Sequence, residues 1–424
     1  MIRGARWLIA ALLLLGGCTT RERTNPLDPR NTETLGGLVG FNALAADGVV
    51  ELRWPQLQVA GVLGYRLQRW VPGGVPLTLG AADYGPEATA AEDPDVQNDS
   101  TYVYRLVAHL ESGDSVLSAI DTVTPGTRRI FALAAGVPSF LRLTPDGRDF
   151  LYELTLRESY VDMEVDRSTG TLWFAAETSG DVIRRTPEGG IVGAEILVNA
   201  PGDLSISSNR GIGWVVSLTN GSVLAYGPDL NNPAAQRTIT DVLGPLIVEA
   251  GTNDPTVWVG SEGGEVSRFR ALDLVRTHVW SLGAGPVRAI ALDEATGEAW
   301  VATRSLAGSL YHLSPVDSSA TLVRAALLNA ADLAVDPASG DLWISERGPS
   351  NQKAGRLSRI TRAGVTAATV TGIEPYGLDI DPLDGSCWVS DLGSGRILRV
   401  ARSGAILRAS PVVNTPYAVR VTIP

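Results

Sequence analysis

The side chains best suited to chemistry in this chain are acids and amides that border short apolar runs. Carboxylate and amide oxygens are the ligands that Ca²⁺ prefers. Those that precede a run are Glu158, Asn199, Asn329, Glu374 and Asn414. Those that follow a run, with one arginine among them, are Glu177, Glu262, Glu346, Arg347 and Asp391. Within these sets, Glu158 and Glu374 are the candidate metal ligands.

The same residues also fit a plain solvated surface of loops. They are spread over several segments, and no two of them have the fixed short spacing of a metal motif. The longest of the loops, Glu346 to Ala354, is where a rigid scaffold would be expected to carry function. The sequence leaves open a ligand-binding face, a Ca²⁺ site and ordinary loop charge. It predicts no required cofactor.

Other catalytic groups are scarce. The three histidines, His109, His278 and His312, all fall within strand-like runs and not in loops. The sequence contains no Gly-x-Ser-x-Gly elbow, zinc-ligand spacing or phosphate loop. Cys387 stands in an apolar run, which predicts a small buried residue and not a reactive thiol. These features favour a binding protein over an enzyme, with no catalytic residue assigned.

The elements that must position these residues recur with a period in the low forties. Six tryptophans are spaced 41, 44, 42, 43 and 45 residues apart; they are Trp173, Trp214, Trp258, Trp300, Trp343 and Trp388. Seven residues before them stand Asp166, Ser207, Gly251, Asp293, Asp336 and Asp381. In four units this residue is Asp with Gly four residues later, which is the chemistry of a tight turn. The period is typical of a β-propeller.

The repeat predicts the number of blades. Six full units of four strands, A to D, run from about 159 to 415. Residues 129–157 resemble three further strands, and 417–423 resemble one. Pairing these two segments would complete a seventh blade and remove an exposed sheet edge. We therefore expect an all-β protein with a seven-bladed β-propeller over residues 126–424.

The N-terminal segment has the pattern of a leader. Residues 1–17 contain Arg3 and Arg6, then a nine-residue apolar run, then Leu15-Gly16-Gly17 before Cys18. This ending resembles the lipobox of bacterial lipoproteins, which implies cleavage before Cys18 and lipid attachment to that cysteine. Residues 18–35 are polar and predict a flexible tether. By the rule known for enteric bacteria, Thr19 implies an outer-membrane destination.

Residues 36–125 predict a β-sandwich of short alternating strands. The segment resembles a fibronectin type III domain at Trp54, at Tyr65 and in the run from Tyr104 to Ala108. That resemblance implies that the Tyr104 hydroxyl hydrogen-bonds to backbone upstream of it. It also implies that the domain is a spacer.

The repeating units resemble NHL-repeat and streptogramin-lyase-like propellers, most closely from Pro375 to Val400. The resemblance implies that the D-to-A and B-to-C loops open on one binding face, which would hold the acids and amides named above. Streptogramin lyases act through loop histidines, and no histidine here matches such a position. Lactonases of the gluconolactonase family carry a Glu and Asn set in their channel. Their similarity implies an alternative, a Ca²⁺-dependent hydrolase or lactonase.

The charge of the chain limits its partners. Lys and Arg number 35 against 46 acidic residues, a net charge of −11, and removal of Arg3 and Arg6 would leave 33 basic residues. An acidic surface disfavours nucleic acid. The sequence thus predicts a monomeric, lipid-anchored cell-envelope binding or scaffold protein, whose loop face binds a protein, peptide or glycan. A structural assembly factor is a third alternative, without a sequence mark.

Overall fold

The computed structural model describes residues 26–28, 31, 34, 36–57, 61–80, 83–176, 178–227, 237–252, 255–283, 285–304, 308–350 and 352–423. This part of the chain is all-β, with one short 3₁₀ turn at Ser208–Arg210. None of its helical segments has the length and apolar character needed to cross a membrane. The predicted leader and Cys18 lie outside the described residues. The described residues divide into two compact units.

The first unit takes in the described residues up to Ala43, together with Val50–Asp93 and Thr101–Val123. The strands of this part of the chain are β1 (Asn42–Ala45), β2 (Val50–Arg53), β3 (Val62–Trp70), β4 (Leu77–Thr78), β5 (Ala90–Asp93), β6 (Tyr102–Leu110), β7 (Ser115–Leu117) and β8 (Asp121–Val123). One sheet has the order β1-β2-β5. The other has the order β4-β3-β6-β7, and β8 also pairs with β6.

The core of the first unit is built around aromatic side chains. Trp54 and Tyr65 are buried with ring centroids 5.7 Å apart. Tyr104 is fully buried, and its hydroxyl donates a 2.8 Å hydrogen bond to the carboxylate of Asp93. Arg69 pairs with the same carboxylate at 2.8 Å. The prediction of a backbone acceptor for Tyr104 was therefore wrong, because the Asp93 carboxylate, which Arg69 also contacts, takes the one proton that the hydroxyl can donate.

The second unit takes in Leu44–Val49, Pro94–Ser100 and the chain from Thr124 onward. Its strands form four-stranded antiparallel sheets. The strands up to the middle of the unit are β9 (Arg129–Ala134), β10 (Ser139–Leu143), β11 (Phe150–Thr155), β12 (Tyr160–Val165), β13 (Leu172–Ala176), β14 (Asp181–Arg185), β15 (Ile196–Leu197), β16 (Pro201–Ser207), β17 (Ile212–Ser217), β18 (Ser222–Tyr226), β19 (Arg237–Ile239), β20 (Pro245–Ala250), β21 (Thr256–Ser261), β22 (Glu265–Arg270) and β23 (Arg276–Ser281).

The remaining strands continue the same pattern. They are β24 (Val287–Asp293), β25 (Glu298–Thr303), β26 (Gly308–Ser314), β27 (Ser319–Leu327), β28 (Ala330–Val335), β29 (Leu342–Glu346), β30 (Gly355–Ile360), β31 (Thr366–Ile373), β32 (Pro375–Ile380), β33 (Cys387–Asp391), β34 (Arg396–Val400), β35 (Ile406–Ala409) and β36 (Pro416–Thr422). From β12 to β35, each run of four consecutive strands is one sheet. One further sheet has the order β11-β10-β9-β36 and so joins the two ends of the unit.

The first strands of these sheets contact one another in a cycle. Strand β12 contacts β16, which contacts β20, and the series continues through β24, β28 and β32 to β36. Strand β36 ends the sheet β11-β10-β9-β36 in the position that the first strand has in the other sheets, and it contacts β12 in turn. The first strands therefore enclose a common centre within the second unit.

The six periodic tryptophans occupy the second strand of six sheets. Each is at most 2% exposed, and the strands around them are buried on both faces. The prediction of doubly buried strands is confirmed. The cause is stacking, since the face of one sheet covers the face of the next.

The predicted turn chemistry is also confirmed. The Asp166 carboxylate accepts a hydrogen bond from the backbone N–H of Ser168 at 3.0 Å, and Asp336 does the same for Ala338 at 3.0 Å. The glycines four residues later, Gly170 and Gly340, have φ values of 72° and 73°. A side chain with a Cβ would be strained there. This hairpin connects the first two strands of its sheet.

Candidate functional site

The first strands of the second unit line a cavity of about 1200 Å³. Its rim carries Leu218 and Leu328, which are 46% and 41% exposed, and also Pro349. Two residues of the predicted binding face, Glu262 and Asn329, also line it and are exposed. The longest loop contributes Gly348 to Ser350. An exposed apolar rim around a polar cavity is typical of a binding site.

Aspartates on the first strands join neighbouring sheets. Asp162 on β12 accepts the backbone N–H of Leu204 on β16 at 3.1 Å. Asp203 on β16 accepts that of Val248 on β20 at 2.8 Å, and Asp332 on β28 accepts that of Leu378 on β32 at 3.0 Å. These bonds use N–H groups that their own sheet leaves free, so the aspartates join one sheet to the next.

Arginines neutralise one side of the cavity. Arg420 on β36 pairs with Glu164 at 2.8 Å and with Asp162 at 3.5 Å. Arg167 pairs with Asp379 at 3.2 Å. The Arg420 pairs connect β36 to β12, and the Arg167 pair connects the turn after β12 to β32. On this side, each carboxylate therefore has a basic partner.

Burial changes the protonation of the cavity acids. It raises the pKa of Asp162 to about 7, and it also raises the pKa of Asp332. Burial, aided by the charge of Asp162, raises the pKa of Asp203 well above its usual value. Burial raises the pKa of Glu249 in the same way, with the charges of Glu164 and Asp203 adding to it. Glu164 and Asp162 hold the pKa of Arg420 well above its usual value, although burial opposes them.

Asp203 and Glu249 differ from the other cavity acids in what they contact. Among the described residues, neither has a basic group within 4 Å. Val248 donates to Oδ2 of Asp203, and the Ser205 hydroxyl donates to Oε2 of Glu249 at 3.3 Å. In the part of the chain that the structure describes, Oδ1 of Asp203 and Oε1 of Glu249 receive no hydrogen bond. Both side chains line the cavity.

Three of the acids in the predicted binding face are buried. Glu346, Glu374 and Asp391 are 0%, 2% and 3% exposed. Glu346 pairs with Arg356 at 2.6 Å and with Arg324 at 3.2 Å. The Glu374 carboxylate accepts a 2.8 Å hydrogen bond from Arg347. These carboxylates hold loops and strands together and are not presented to solvent.

The other predicted residues lie in loops with local partners. The Glu158 carboxylate accepts the backbone N–H groups of Thr178 and Ser179. The amide of Asn199 donates to Asn220 at 3.2 Å, and the carbonyl of Asn414 accepts from Gly136 at 3.1 Å. Glu177 lies outside the described residues. The Glu158 and Asn199 bonds each join the loop before the first strand of a sheet to the loop after its second strand. The Asn414 bond joins the loop before β36 to the turn after β9.

The described residues contain no group of three or more His, Cys, Asp or Glu side chains that could hold a metal ion. Glu158 and Glu374, the candidate Ca²⁺ ligands, are each engaged by groups of their own sheet or the sheet beside it. Cys387 is fully buried, and burial raises the pKa of its thiol. His278 and His312 lie in β23 and β26, as predicted.

Sequence reasoning did not find the acids that line the cavity. A signal was present, because Asp162, Asp203 and Asp332 each stand eleven residues before the tryptophan of their unit. Strand alternation alone would not place these residues, since the first strands have register shifts beside them. A bulge turns a side chain to a new direction.

No protein-family model matches the chain, and no curated protein matches it. Two solved structures are similar in fold. Hydrazine synthase of Kuenenia stuttgartiensis has 12% identity and a TM-score of 0.50, covering 57% of this chain and 76% of that one. A functionally unknown protein from Desulfotomaculum acetoxidans DSM 771 has 14% identity and a TM-score of 0.52, covering 70% and 99%. The chain is all-β, with four-stranded antiparallel sheets of β-propeller type.

Proposed function

We propose that this protein is a lipid-anchored cell-envelope binding protein that takes a protein, peptide or glycan at the mouth of its central cavity. The observation that carries the proposal is the cavity of about 1200 Å³ with an apolar rim. Leu218 and Leu328 expose 46% and 41% of their surface there. Burying such surface on a ligand contributes about 25 cal/mol per Å².

The architecture that we infer for this role is a seven-bladed propeller. Its support is the set of four-stranded sheets, the cycle of contacts among their first strands, and the pairing of β36 with β9. A closed ring holds the cavity rigid, which lowers the cost of ordering on binding. The first unit acts as a fibronectin type III-like spacer, supported by its two sheets and by the buried Trp54, Tyr65 and Tyr104.

The lipid anchor rests on the sequence. The apolar run and Leu15-Gly16-Gly17 before Cys18 support cleavage and acylation at that cysteine. Two or more acyl chains would anchor the protein stably. Thr19 supports delivery to the outer membrane.

Binding is favoured over metal-dependent hydrolysis because the two candidate metal-ligating residues already have hydrogen-bond partners. The carboxylates of Glu158 and Glu374 already accept hydrogen bonds from backbone N–H groups and from Arg347. A cation at either position would have to replace those donors. The rim residues, in contrast, are open to a ligand.

The test compares rim and surface variants of the full-length chain purified in detergent. The double variant Leu218→Asp, Leu328→Asp places charge on the rim. Leu272→Asp is the matched control, because Leu272 is 82% exposed and does not line the cavity. Peptide and glycan arrays and envelope extracts supply ligands. We expect binding that the rim variant loses and the control keeps; equal binding by both would contradict the proposal.

A further inference from the structure

Basic partners for the cavity acids are concentrated on one side of the cavity. On the side formed by β32, β36 and β12, Arg420 and Arg167 neutralise Glu164, Asp162 and Asp379. On the side formed by β16 and β20, Asp203 and Glu249 have no basic group within 4 Å among the described residues. Arg288 acts on Asp203 and Arg420 on Glu249 only at longer range. Neither carboxylate therefore has a contacting charge partner in the described chain, within a cavity that has room for a ligand.

The two carboxylates also have free oxygens in the same region. Asp203 reaches β20 through its bond to Val248, the residue before Glu249. Ser205 on β16 connects to Glu249 from the same strand as Asp203. The charge of Asp203 contributes to the raised pKa of Glu249, so the two groups lie within electrostatic reach of each other. The oxygens without a hydrogen bond in the described chain are Oδ1 and Oε1, and both residues line the cavity.

Asp332 shows what a purely structural acid looks like in this cavity. Its Oδ1 accepts the N–H of Leu333 at 2.8 Å, and its Oδ2 accepts the N–H of Leu378 at 3.0 Å. Both oxygens are therefore used by the protein itself. Hydrogen bonds within the protein use both oxygens of Asp332, but they use only one oxygen of Asp203.

We propose that the cavity binds an organic cation with N–H donors, such as a lysine side chain or a free amine, between Asp203 and Glu249. This inference rests on the proposed function, because it names the ligand chemistry of the same cavity. An ammonium group carries three donors, which suits two free carboxylate oxygens and leaves one donor for water or another group. A charge-assisted bond in a shielded site is stronger than one in water.

A metal ion suits the pair less well. Ca²⁺ takes six to eight oxygen ligands, and structural metal sites need at least three protein groups. The described residues offer no such group. Glu262 on the rim adds negative charge above β20 and β21 and would attract a cation toward the cavity.

Cation binding must also release protons. Burial favours the neutral acids, so a bound cation shifts them to the ionised form and lowers their pKa. The other charged groups that act on this pair are Asp162, Asp332 and Arg288 around Asp203, and Glu164, Arg420 and Glu294 around Glu249. These groups change the pH at which the affinity changes most steeply, but they do not change the direction of the pH dependence. The affinity for a cation therefore rises as the pH rises.

The experiment measures calorimetric binding to the full-length chain in detergent. The probe is the peptide acetyl-Gly-Lys-Gly-amide, with norleucine replacing lysine as the uncharged control. Cadaverine and CaCl₂ are separate arms. We expect the lysine peptide or cadaverine to bind and the norleucine peptide not to bind. The two amines distinguish a side chain of a protein partner from a free amine.

The variants Asp203→Asn and Glu249→Gln should each weaken binding about tenfold or more, since each removes a charge partner in a shielded site. Asp273→Asn is the control, because Asp273 is 43% exposed and does not line the cavity, and it should change the affinity less than about twofold. Affinity should increase between about pH 5 and pH 8, with proton release detected in buffers of different ionisation enthalpy. Thermal melting checks that each variant is folded.

Equal binding of the lysine and norleucine peptides, no binding of either amine, or binding of Ca²⁺ alone would overturn the ligand class. If the amines fail but the rim variant still loses a ligand found on the arrays, the proposed binding role stands without the cation. If neither amines nor array ligands depend on the cavity, both proposals fail.

Discussion

The loop acids and the cavity acids of the second unit are used in opposite ways. Glu346, at the loop end of β29, is fully buried, with two arginines and a backbone N–H on its carboxylate. Asp203 in the cavity has one backbone donor and one free oxygen. A saturated carboxylate stabilises the fold, whereas a carboxylate with a free oxygen beside a cavity can also bind a ligand. Burial alone therefore does not identify a functional acid; the remaining hydrogen-bonding capacity does.

The largest effect is expected at the saturated loop acid. Glu346→Gln removes the charge that Arg324 and Arg356 share, and both arginines keep much of their side chains buried. Removing one partner of a buried pair leaves an uncompensated charge, so we expect a loss of about 3 kcal/mol in the free energy of unfolding. Urea unfolding followed by tryptophan fluorescence measures it.

The control for Glu346 is an exposed pair. In Asp273→Asn the partner Arg270 stays in water, since the two side chains are 43% and 56% exposed. Its loss should be below about 0.5 kcal/mol. Similar losses for both variants would remove the distinction between saturated buried acids and surface charge.

The next effect should differ in sign between two cavity acids. Asp379→Asn leaves Arg167 without its carboxylate partner and should destabilise the protein by about 1–2 kcal/mol. Asp203→Asn removes a buried carboxyl that has no basic partner within 4 Å in the described chain, and at pH 8 it should stabilise by about 1 kcal/mol. Unfolding midpoints of the two variants against the native chain measure the difference.

The pH dependence of Asp203→Asn follows from the raised pKa of Asp203. Because the folded state holds a proton that the unfolded state releases, the stability that this group contributes falls as the pH rises from near 3.8 through the folded pKa. The variant should therefore match the native chain at low pH and exceed it at high pH. A constant difference from pH 4 to pH 8 would contradict this assignment.

The smallest effect is expected at Glu158. Its carboxylate accepts two backbone N–H groups in a loop, and glutamine keeps one acceptor oxygen for them. We expect Glu158→Gln to cost less than about 1 kcal/mol and to leave the melting temperature insensitive to added CaCl₂. A Ca²⁺-dependent melting temperature in the native chain that is lost in this variant would revive the metal alternative.

Much of the architecture could be predicted because its signals are local. The turn at Asp166 and Gly170 depends on hydrogen bonds within four residues, and the burial of Trp173 follows from an apolar run around it. The functional state of Glu346 or Asp203 could not be predicted in this way. Both are acids beside apolar strands, and their sequence surroundings do not reveal which oxygens are used.

The amino-acid sequence by itself determined the repeat, the strands, the turns and the burial of the tryptophans, because each depends on neighbours along the chain. Only the tertiary structure decided which charges meet. Arg420 and Glu164 are 256 residues apart in sequence, and Arg167 and Asp379 are 212 apart. Such pairs exist only when strands of sheets that are far apart in the sequence meet around one cavity. Asp203 and Glu249 take part in no such ion pair in the described chain, and each keeps an oxygen with capacity for a ligand.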